Sequence, residues 1–379
     1  MVFDQIDWTD VDWKDELKNS IVNFDQLREL FPGREMEDAA LREVAHIHPI
    51  NIPRYYLSLI DPDDAEDPIR KMCFPCADEL IVAGDMGETT QDPYGDDRHD
   101  KGHGLLHKYD YTALIVASEY CAMYCRHCFR RRTVGRAQEH NTYRFAEAIR
   151  YIREHPEITN IVISGGDPLM LSNALLRQLL MDLADIEHLD FVRIGTRVPV
   201  TYPLRLFDNG LLDVLEEFNE RKTLYLPTHF NHSKEITPTA TEAVKRVRRR
   251  GITVNNQAVL LRGVNDSADS IVELMNGLLR IGVNPYYLYQ CMPVARVRHH
   301  FQIPLKRGIE IVDKARQRLD GYGKRFKFII GHDIGKFEIC GMHDGKIVLK
   351  QLHGRSGYPE QASRIILQDI DDNDGWVSL

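Results

Sequence analysis

The chain has 379 residues, 43% of them hydrophobic, and a formal net charge of -9 at pH 7. Its apolar runs fall short of the roughly eighteen residues that indicate a membrane-spanning helix, so we expect no membrane contact. The acidic balance argues against nucleic acid as a partner, because phosphate backbones select basic surfaces. Seven scattered cysteines and no apolar leader argue against a disulfide framework and favour a cytoplasmic protein.

The first 107 residues predict a helical cap. Residues 13–31 and 36–44 have the period of amphipathic helices, residues 61–68 form an acidic, turn-rich connector, and residues 87–104 form a polar, irregular loop. These features indicate a region of helices and loops without an internal repeat.

Two groups of potential metal ligands occur in this cap. His99, His103 and His107 are irregularly spaced, which favours solvated or locally bonded histidines over a metal site. Cys73 and Cys76 form a CxxC pair, but no second pair accompanies it, and we expect these cysteines to pack.

Beyond the cap, short apolar or β-branched runs alternate with segments of helical period. The predicted strands are 112–118, 160–164, 191–195, 223–226, 253–260 and 285–290, and the predicted helices between them are 144–154, 173–183, 211–218, 239–250 and 267–279. This alternation predicts an α/β fold, a partial (β/α)6 barrel of TIM type with right-handed crossovers. We expect a cap over 1–107, the barrel over 108–310 and a short C-terminal extension over 311–379, with chemistry at the carboxyl ends of the strands.

The loop after the first predicted strand carries Cys121, Cys125 and Cys128. Three thiolates can hold three irons of a [4Fe–4S] cluster and leave the fourth iron open for a substrate or cosubstrate. Structural zinc and simple packing are the alternatives, but zinc would need a fourth ligand at regular spacing, and His127 lies between two of the cysteines. This spacing resembles the radical S-adenosylmethionine (SAM) superfamily, in which SAM occupies the open iron.

A glycine pair follows the second predicted strand. Gly165 and Gly166 allow a ligand to approach the backbone, and the carboxylate of Asp167 can accept a hydrogen bond from an ammonium or a ribose hydroxyl. An ordinary strand-to-helix turn has the same pattern. The run is similar to the SAM-binding Gly-Gly-Glu element of radical SAM enzymes, with Asp167 in place of the glutamate.

Segments throughout the chain are similar to the lysine 2,3-aminomutase family. They are residues 55–62, 121–132, 164–167, 193–199, 228–232, 257–266 and 285–291, in the family's order. The resemblance implies that one electron from the cluster, supplied by a flavodoxin- or ferredoxin-type reductant, cleaves SAM to a 5′-deoxyadenosyl radical. Pyridoxal phosphate (PLP), bound through a lysine, would then carry the α-amino group of a small amino acid to its β-carbon.

The same resemblance assigns roles to individual residues. Lys336, which follows a glycine after the last core strand, would hold PLP, and Arg130 would pair with the substrate carboxylate. Lys108, together with Tyr109, would help to bind the PLP phosphate, and Gln257 would contact a cofactor.

Some positions depart from the family pattern. Met292 and Gly331 stand where lysine-specific members have aspartates for the distal ammonium, so free lysine is a poor candidate substrate. Thr112 stands where the family has an arginine for the PLP phosphate. Ser267 replaces a zinc ligand, and no zinc is expected. A second group of residues would receive an anionic, glutamate-like side chain or only line the rim: Arg296, Arg298, His299 and His300.

The sequence therefore predicts a radical SAM, PLP-dependent amino acid 2,3-aminomutase that is a cytoplasmic homo-oligomer. Three alternatives stay open: a radical SAM isomerase, epimerase or dehydrogenase without PLP, an aminomutase that acts on a lysine within a translation factor, and a noncatalytic iron–sulfur protein.

Overall fold

A computed structural model describes residues 3, 6–31, 38–81, 90–135, 145–354 and 362–379. The chain is an α/β protein. The strands are β1 (Leu105–Tyr109), β2 (Thr112–Ser118), β3 (Asn160–Gly165), β4 (Phe191–Ile194), β5 (Thr223–Thr228), β6 (Thr253–Leu260), β7 (Asn284–Gln290), β8 (Lys327–His332), β9 (Gly335–His343), β10 (Lys346–Gly354) and β11 (Ile365–Asp369).

Short helices build the amino-terminal cap, and longer helices alternate with the strands. The α-helices are α1 (Trp13–Lys18), α2 (Phe24–Leu30), α3 (Asp38–Ile47), α4 (Arg54–Leu57), α5 (Pro68–Cys73), α6 (Asp96–His99), α7 (Ala146–Glu154), α8 (Asn173–Ala184), α9 (Val198–Thr201), α10 (Asn209–Arg221), α11 (Pro238–Arg249), α12 (Ala268–Ile281), α13 (Arg298–Phe301) and α14 (Leu305–Arg318). No helix in the described ranges is long and apolar enough to cross a bilayer.

All eleven described strands form one sheet, in the order in which they occur along the chain. β2 to β8 are parallel, whereas β1 and β9 to β11 pair antiparallel with their neighbours. The sheet thus forms the wall of a partial barrel, as predicted, and the parallel part continues through one further strand, β8, beyond the six strands read from the sequence.

The two faces of the barrel wall differ in polarity. In β6, Val254, Ala258 and Leu260 are buried, whereas the alternate residues Asn255 and Gln257 are partly exposed. Because successive side chains of a strand point to opposite faces, the first set lies under the helices and the second faces the lumen. On β6 the lumen side thus carries the amides of Asn255 and Gln257 beside the partly exposed Val259.

The sheet curves far enough to bring β1 into contact with β8 and β10. Lys108 on β1 donates from Nζ to the carbonyl of His332 on β8, at 2.8 Å. Nearby, the rings of Tyr109 and His353 lie 5.5 Å apart and join β1 to β10. These contacts close one side of the lumen.

Helix starts follow local sequence signals. The side chains of Ser172, Thr237 and Ser267 accept hydrogen bonds from backbone amides in the first turns of α8, α11 and α12. Gly282 ends α12 in the left-handed conformation, which costs a glycine little. The three N-terminal caps lie within two residues of the predicted helix starts, and Gly282 lies three residues beyond the predicted end of its helix.

Two predictions in the cap were wrong in detail. The single helix predicted over 13–31 is two helices, because the backbones of Ile21 and Ile52 exchange hydrogen bonds of 2.8 and 2.9 Å and interrupt it. Of the two cysteines expected to pack, Cys73 is buried at the end of α5, but Cys76 is exposed. Residues 36 and 37 of the second predicted helix, and residues 87–89 of the predicted loop, lie outside the described residues.

A candidate active site at the carboxyl ends of the strands

The cysteine loop follows β2, and the cap fixes its backbone. Asn51 donates to the carbonyl of Cys121 at 3.0 Å, and the amide of Arg126 donates to the carbonyl of Met72 at 2.9 Å. Within the loop, the amide of Cys128 donates to the carbonyl of Cys125 at 3.1 Å. The cap therefore shapes the loop from outside the barrel.

The three cysteine side chains lie close enough for their charges to affect one another. All are free thiols, and burial together with the neighbouring Asp167, Cys128 and Cys125 raises the pKa of Cys121. Burial and Cys125 raise the pKa of Cys128 to about 11. Within the described ranges, no three His, Cys, Asp or Glu side chains surround a single metal-ion position. A cubane binds each cysteine to a different iron, so its ligands need not share such a position.

Arg197 contacts the cysteine site directly, although the sequence analysis gave it no role. Its Nη1 donates to Cys125 Sγ at 2.7 Å, its Nη2 donates to Glu235 at 2.7 Å, and its Nε donates to the carbonyl of His229 at 3.1 Å. A buried guanidinium stabilises the negative charge of a thiolate ligand. The sequence offered one signal for Arg197, because this residue lies in segment 193–199, one of the segments that resemble the lysine 2,3-aminomutase family.

The glycine pair lets the end of β3 approach the start of the cysteine loop. A Cβ on Gly165, whose φ is +112°, would lie 2.4 Å from the carbonyl oxygen of Ser118. A Cβ on Gly166 would lie 2.4 Å from the carbonyl oxygen of Tyr120. Since carbon cannot approach a backbone oxygen so closely, the packing here requires glycine at both positions.

Asp167 is buried and already engaged. Its carboxylate accepts hydrogen bonds from the hydroxyl of Thr196 at 2.7 Å and from the amides of Arg197 and Leu169 at 2.8 and 3.1 Å. Burial raises its pKa to about 6 despite these bonds. Asp167 thus ties β3 to the segment that carries Arg197, and a direct contact with SAM stays a prediction.

Arg130 lies beside the cysteine loop with one side of its guanidinium fixed. Nη1 donates to Asp96 at 2.7 Å, and the guanidinium lies 5.0 Å from the ring centre of Phe129. Its buried Nε has no hydrogen-bond partner in the described residues. A second carboxylate can therefore bind the free side, which fits the predicted role in substrate binding.

Lys336 is the second residue of β9 and pairs with Gly331 of β8. Its Nζ lies 4.8 Å from the ring centre of Tyr287 and 5.9 Å from that of Tyr289. Burial and the charges of Arg193 and Lys108 lower its pKa to about 7. The side chain therefore offers a neutral amine near physiological pH, as a Schiff-base lysine must.

Lys108 and Gln257 also border the lumen. Lys108 donates to the carbonyls of Tyr94 and His332, each at 2.8 Å, and burial lowers its pKa to about 8. Its contact with a phosphate stays a prediction. Gln257 faces the lumen from β6, and its cofactor role is likewise a prediction.

Two of the residues expected to receive an anionic substrate side chain, Arg296 and His300, lie on the cap side of the cysteine loop. Arg296 donates to the carbonyl of Glu79, and its own carbonyl accepts from Arg131. Both ring nitrogens of His300 are buried without a hydrogen-bond partner in the described residues. The structure thus brings Arg296 and His300 close to Glu79 and Arg131 beside the cysteine loop, whereas Arg298 lies nearer Asp374 and Cys291, and a role of these residues in substrate binding stays a prediction.

Comparison with known proteins agrees with this geometry. The model of the radical SAM superfamily matches residues 115–275, which span β2 to β6 with the cysteine loop and the glycine pair. The chain is thus a radical SAM protein, and that superfamily uses a [4Fe–4S] cluster and SAM.

Relatives define the family more narrowly. The chain is 38% identical over 318 residues to the L-lysine 2,3-aminomutase of Clostridium subterminale, covering 83% of this chain and 74% of that one. It is 34% identical over 373 residues to that of Bacillus subtilis, covering 94% and 77%. It is 35% identical over 316 residues to the glutamate 2,3-aminomutase of Clostridioides difficile, covering 83% and 72%. The chain belongs to the lysine 2,3-aminomutase family and is a radical SAM isomerase of the aminomutase class.

Proposed function

We propose that this chain is a PLP-dependent 2,3-aminomutase for a free amino acid other than lysine. The observation that carries the proposal is the amine of Lys336, which lies in the lumen between Tyr287 and Tyr289 with a pKa lowered to about 7. The names of the relatives support the same reaction class.

The residues present fit the three groups that the reaction needs. Cys121, Cys125 and Cys128 would hold the cluster, and SAM would bind its open iron. Lys336 would hold PLP. When bound, these groups supply one-electron cleavage, hydrogen abstraction and a carrier for the migrating nitrogen.

The protein's own residues bind and orient the substrate. The unpartnered Nε of Arg130 would donate to the substrate carboxylate, while Asp96 holds Nη1 of the same guanidinium. Lys336 gives and receives a proton at Nζ near neutral pH because burial lowers its pKa. Arg197 balances charge at Cys125.

The substrate side of the proposal rests on Tyr94. A Cβ on Gly331 would lie 2.3 Å from Tyr94 Oη, so the tyrosine fills the space that a side chain at 331 would take. The ring of Tyr94 packs at 5.2 Å on that of Phe129, and Lys108 Nζ lies 5.0 Å from its centre. The positive charge of Lys108 beside this space, together with the absence of a carboxylate at position 331, disfavours a distal ammonium.

The nearby carboxylates do not offset this. Asp96 pairs with Arg130, and Asp333 pairs with Arg98 and His332. A lysine ammonium in this region would have to break one of these ion pairs. We therefore propose a substrate with an uncharged or anionic side chain.

The test is anaerobic reconstitution with iron, sulfide, SAM, PLP and a one-electron reductant, followed by a panel of free amino acids. We expect β-amino isomers and 5′-deoxyadenosine from at least one substrate, and no isomer from Lys336→Ala. Lys314→Ala, on the exposed side of α14, is the matched control. Isomer formation by Lys336→Ala, or free lysine as the preferred substrate, would contradict the proposal.

A further inference from the structure

Two neighbouring cations of the lumen, Arg193 and Lys336, have no carboxylate partner in the part of the chain that the structure describes. The charged side chains that lower the pKa of Lys336 are Arg193 and Lys108. Those that lower the pKa of His353 are Lys336, Arg193 and Lys327. All of them are cationic. Holding like charges together in a partly buried space costs free energy unless a counter-ion is present.

Five arginines around the site contrast with Arg193, because each of the five has a carboxylate partner. The pairs are Arg126 and Arg131 with Glu79, Arg130 with Asp96, Arg197 with Glu235, and Arg205 with Asp208. Arg193 projects from β4 into the lumen and has only neutral partners. A ligand is the natural source of its missing negative charge.

The guanidinium of Arg193 is held in place from one side. Its Nη2 donates to Asn160 Oδ1, which also accepts from the hydroxyl of Thr112 at 2.9 Å. Asn160 in turn donates from Nδ2 to the carbonyl of Tyr111 at 2.9 Å. The Nε of Arg193 stays buried with no hydrogen-bond partner in the described residues. An oriented donor is thus left for a ligand.

Arg193 and Lys336 border the same aromatic wall. Lys336 Nζ lies over the rings of Tyr287 and Tyr289. The phenols of both tyrosines also lie close enough to Arg193 to affect its pKa. The space between the two cations is therefore bounded by flat aromatic surfaces. It suits a flat ligand that carries an anionic group at one end and reacts with Lys336 at the other.

We propose that Arg193 is the lumen's anion anchor and that it binds the phosphate of PLP. A phosphate monoester brings close to two negative charges, and an arginine fork binds phosphate oxygens with charge-assisted hydrogen bonds. The inference rests on the proposed function, because it takes PLP as the ligand of Lys336. It also gives Thr112 a role, since its hydroxyl helps Asn160 to hold Arg193.

The test compares PLP with pyridoxal, which lacks the phosphate. The full-length chain is purified anaerobically and stripped of PLP, then titrated with each ligand; borohydride reduction and mass spectrometry report the modified lysine. We expect Arg193→Met to weaken PLP binding about 10- to 100-fold, as the loss of a charge-assisted contact implies, and to leave pyridoxal binding within about twofold. Inorganic phosphate should compete with PLP in the unmutated chain and not in Arg193→Met.

Arg193→Lys keeps the charge without the fork and should fall between the two. Asn160→Ala, which frees the guanidinium, should weaken PLP and spare pyridoxal even if Arg193→Met does not fold. Arg177→Met is the control, because Arg177 is exposed and pairs with Glu217. If Arg193→Met weakens the binding of PLP and of pyridoxal equally, or weakens neither, the role of Arg193 is overturned and the proposed function is not. If the unmutated chain binds neither ligand at Lys336, the proposed function fails instead.

Discussion

Arg197 and Cys125 are joined by a 2.7 Å contact from Nη1 to Sγ, and the same guanidinium donates to Glu235 at 2.7 Å. Glu235 is fully buried and also accepts from the hydroxyl of Tyr56. One arginine thus links a predicted cluster ligand on the loop after β2 to a carboxylate after β5. The charge of the cysteine site and the stability of the barrel depend on the same residue.

Replacing Arg197 by methionine should therefore destabilise the chain as well as the cluster. A buried Glu235 without its partner costs about 3 kcal/mol in the free energy of unfolding. Arg197→Met/Glu235→Gln should recover much of that loss, because it removes the unpaired charge, but it should not restore iron binding to the original level. Denaturant unfolding and iron analysis of anaerobic samples measure the two effects. Full iron binding by the double variant would contradict a role for Arg197 at Cys125.

The glycine pair gives a second prediction. Gly166→Ala places a Cβ 2.4 Å from the carbonyl oxygen of Tyr120 and should displace the cysteine loop, with loss of cluster assembly. Gly195→Ala is the matched control, since its Cβ would meet nothing closer than 3.8 Å. Cluster absorbance per chain after reconstitution measures the outcome. Equal cluster content in the two variants would contradict the proposed close approach.

The reactivity of the Lys336 amine towards a labelling reagent should rise with pH, with a midpoint near pH 7. Its folded-state pKa of about 7 lies below the ~10.4 of an ordinary lysine, so the unfolded chain binds the proton more tightly between these values. Its contribution to stability therefore rises as pH increases through that window. The facing groups are Arg193, Lys108, His353, Tyr287 and Tyr289.

Pulse labelling of the amine across pH, read by mass spectrometry, measures this midpoint. Arg193→Met should move it upward, because removing a positive neighbour makes protonation easier. A midpoint near that of the exposed Lys314 in the same sample would show that Lys336 is an ordinary surface amine.

Tyr94 and Gly331 should behave as a coupled pair. Gly331→Asp alone forces a side chain against Tyr94 and should lower stability by about 1–3 kcal/mol, the range for overpacking. Tyr94→Ala/Gly331→Asp should recover part of that loss, because the space is then open. A double-mutant cycle in urea measures the coupling. Additive effects would contradict the packing of Tyr94 over Gly331.

Much of the barrel could be predicted because its signals are local. Strands 112–118 and 253–260 match β2 and β6 residue for residue, and serine and threonine caps mark the helices. The break in the helix predicted over 13–31 could not be read, because it depends on Ile52, which is distant in sequence. The hydrogen bonds that Asp167 accepts from Thr196 and Arg197 could not be predicted for the same reason, because these residues are distant from Asp167 in sequence.

The residues of the site could be predicted where their spacing in the sequence indicates a function. They could not be predicted where their role depends on contacts between distant parts of the chain. The cysteine motif and its place after a strand identify the superfamily, and the family's match identifies Lys336 and Arg130 as candidates. Arg197 and Arg193 were missed, because their contacts join residues distant in sequence: Arg197 contacts Cys125, and Arg193 contacts Asn160. Single arginines on a strand carry no signal of such partners.

The most direct test of the account is reduction of the chain with borohydride in the presence of PLP, followed by peptide mass spectrometry. The account predicts one pyridoxyl adduct per chain, on Lys336, and its absence from Lys336→Ala. A chain that forms isomers without any adduct on Lys336, or that carries the adduct on another lysine, would contradict it.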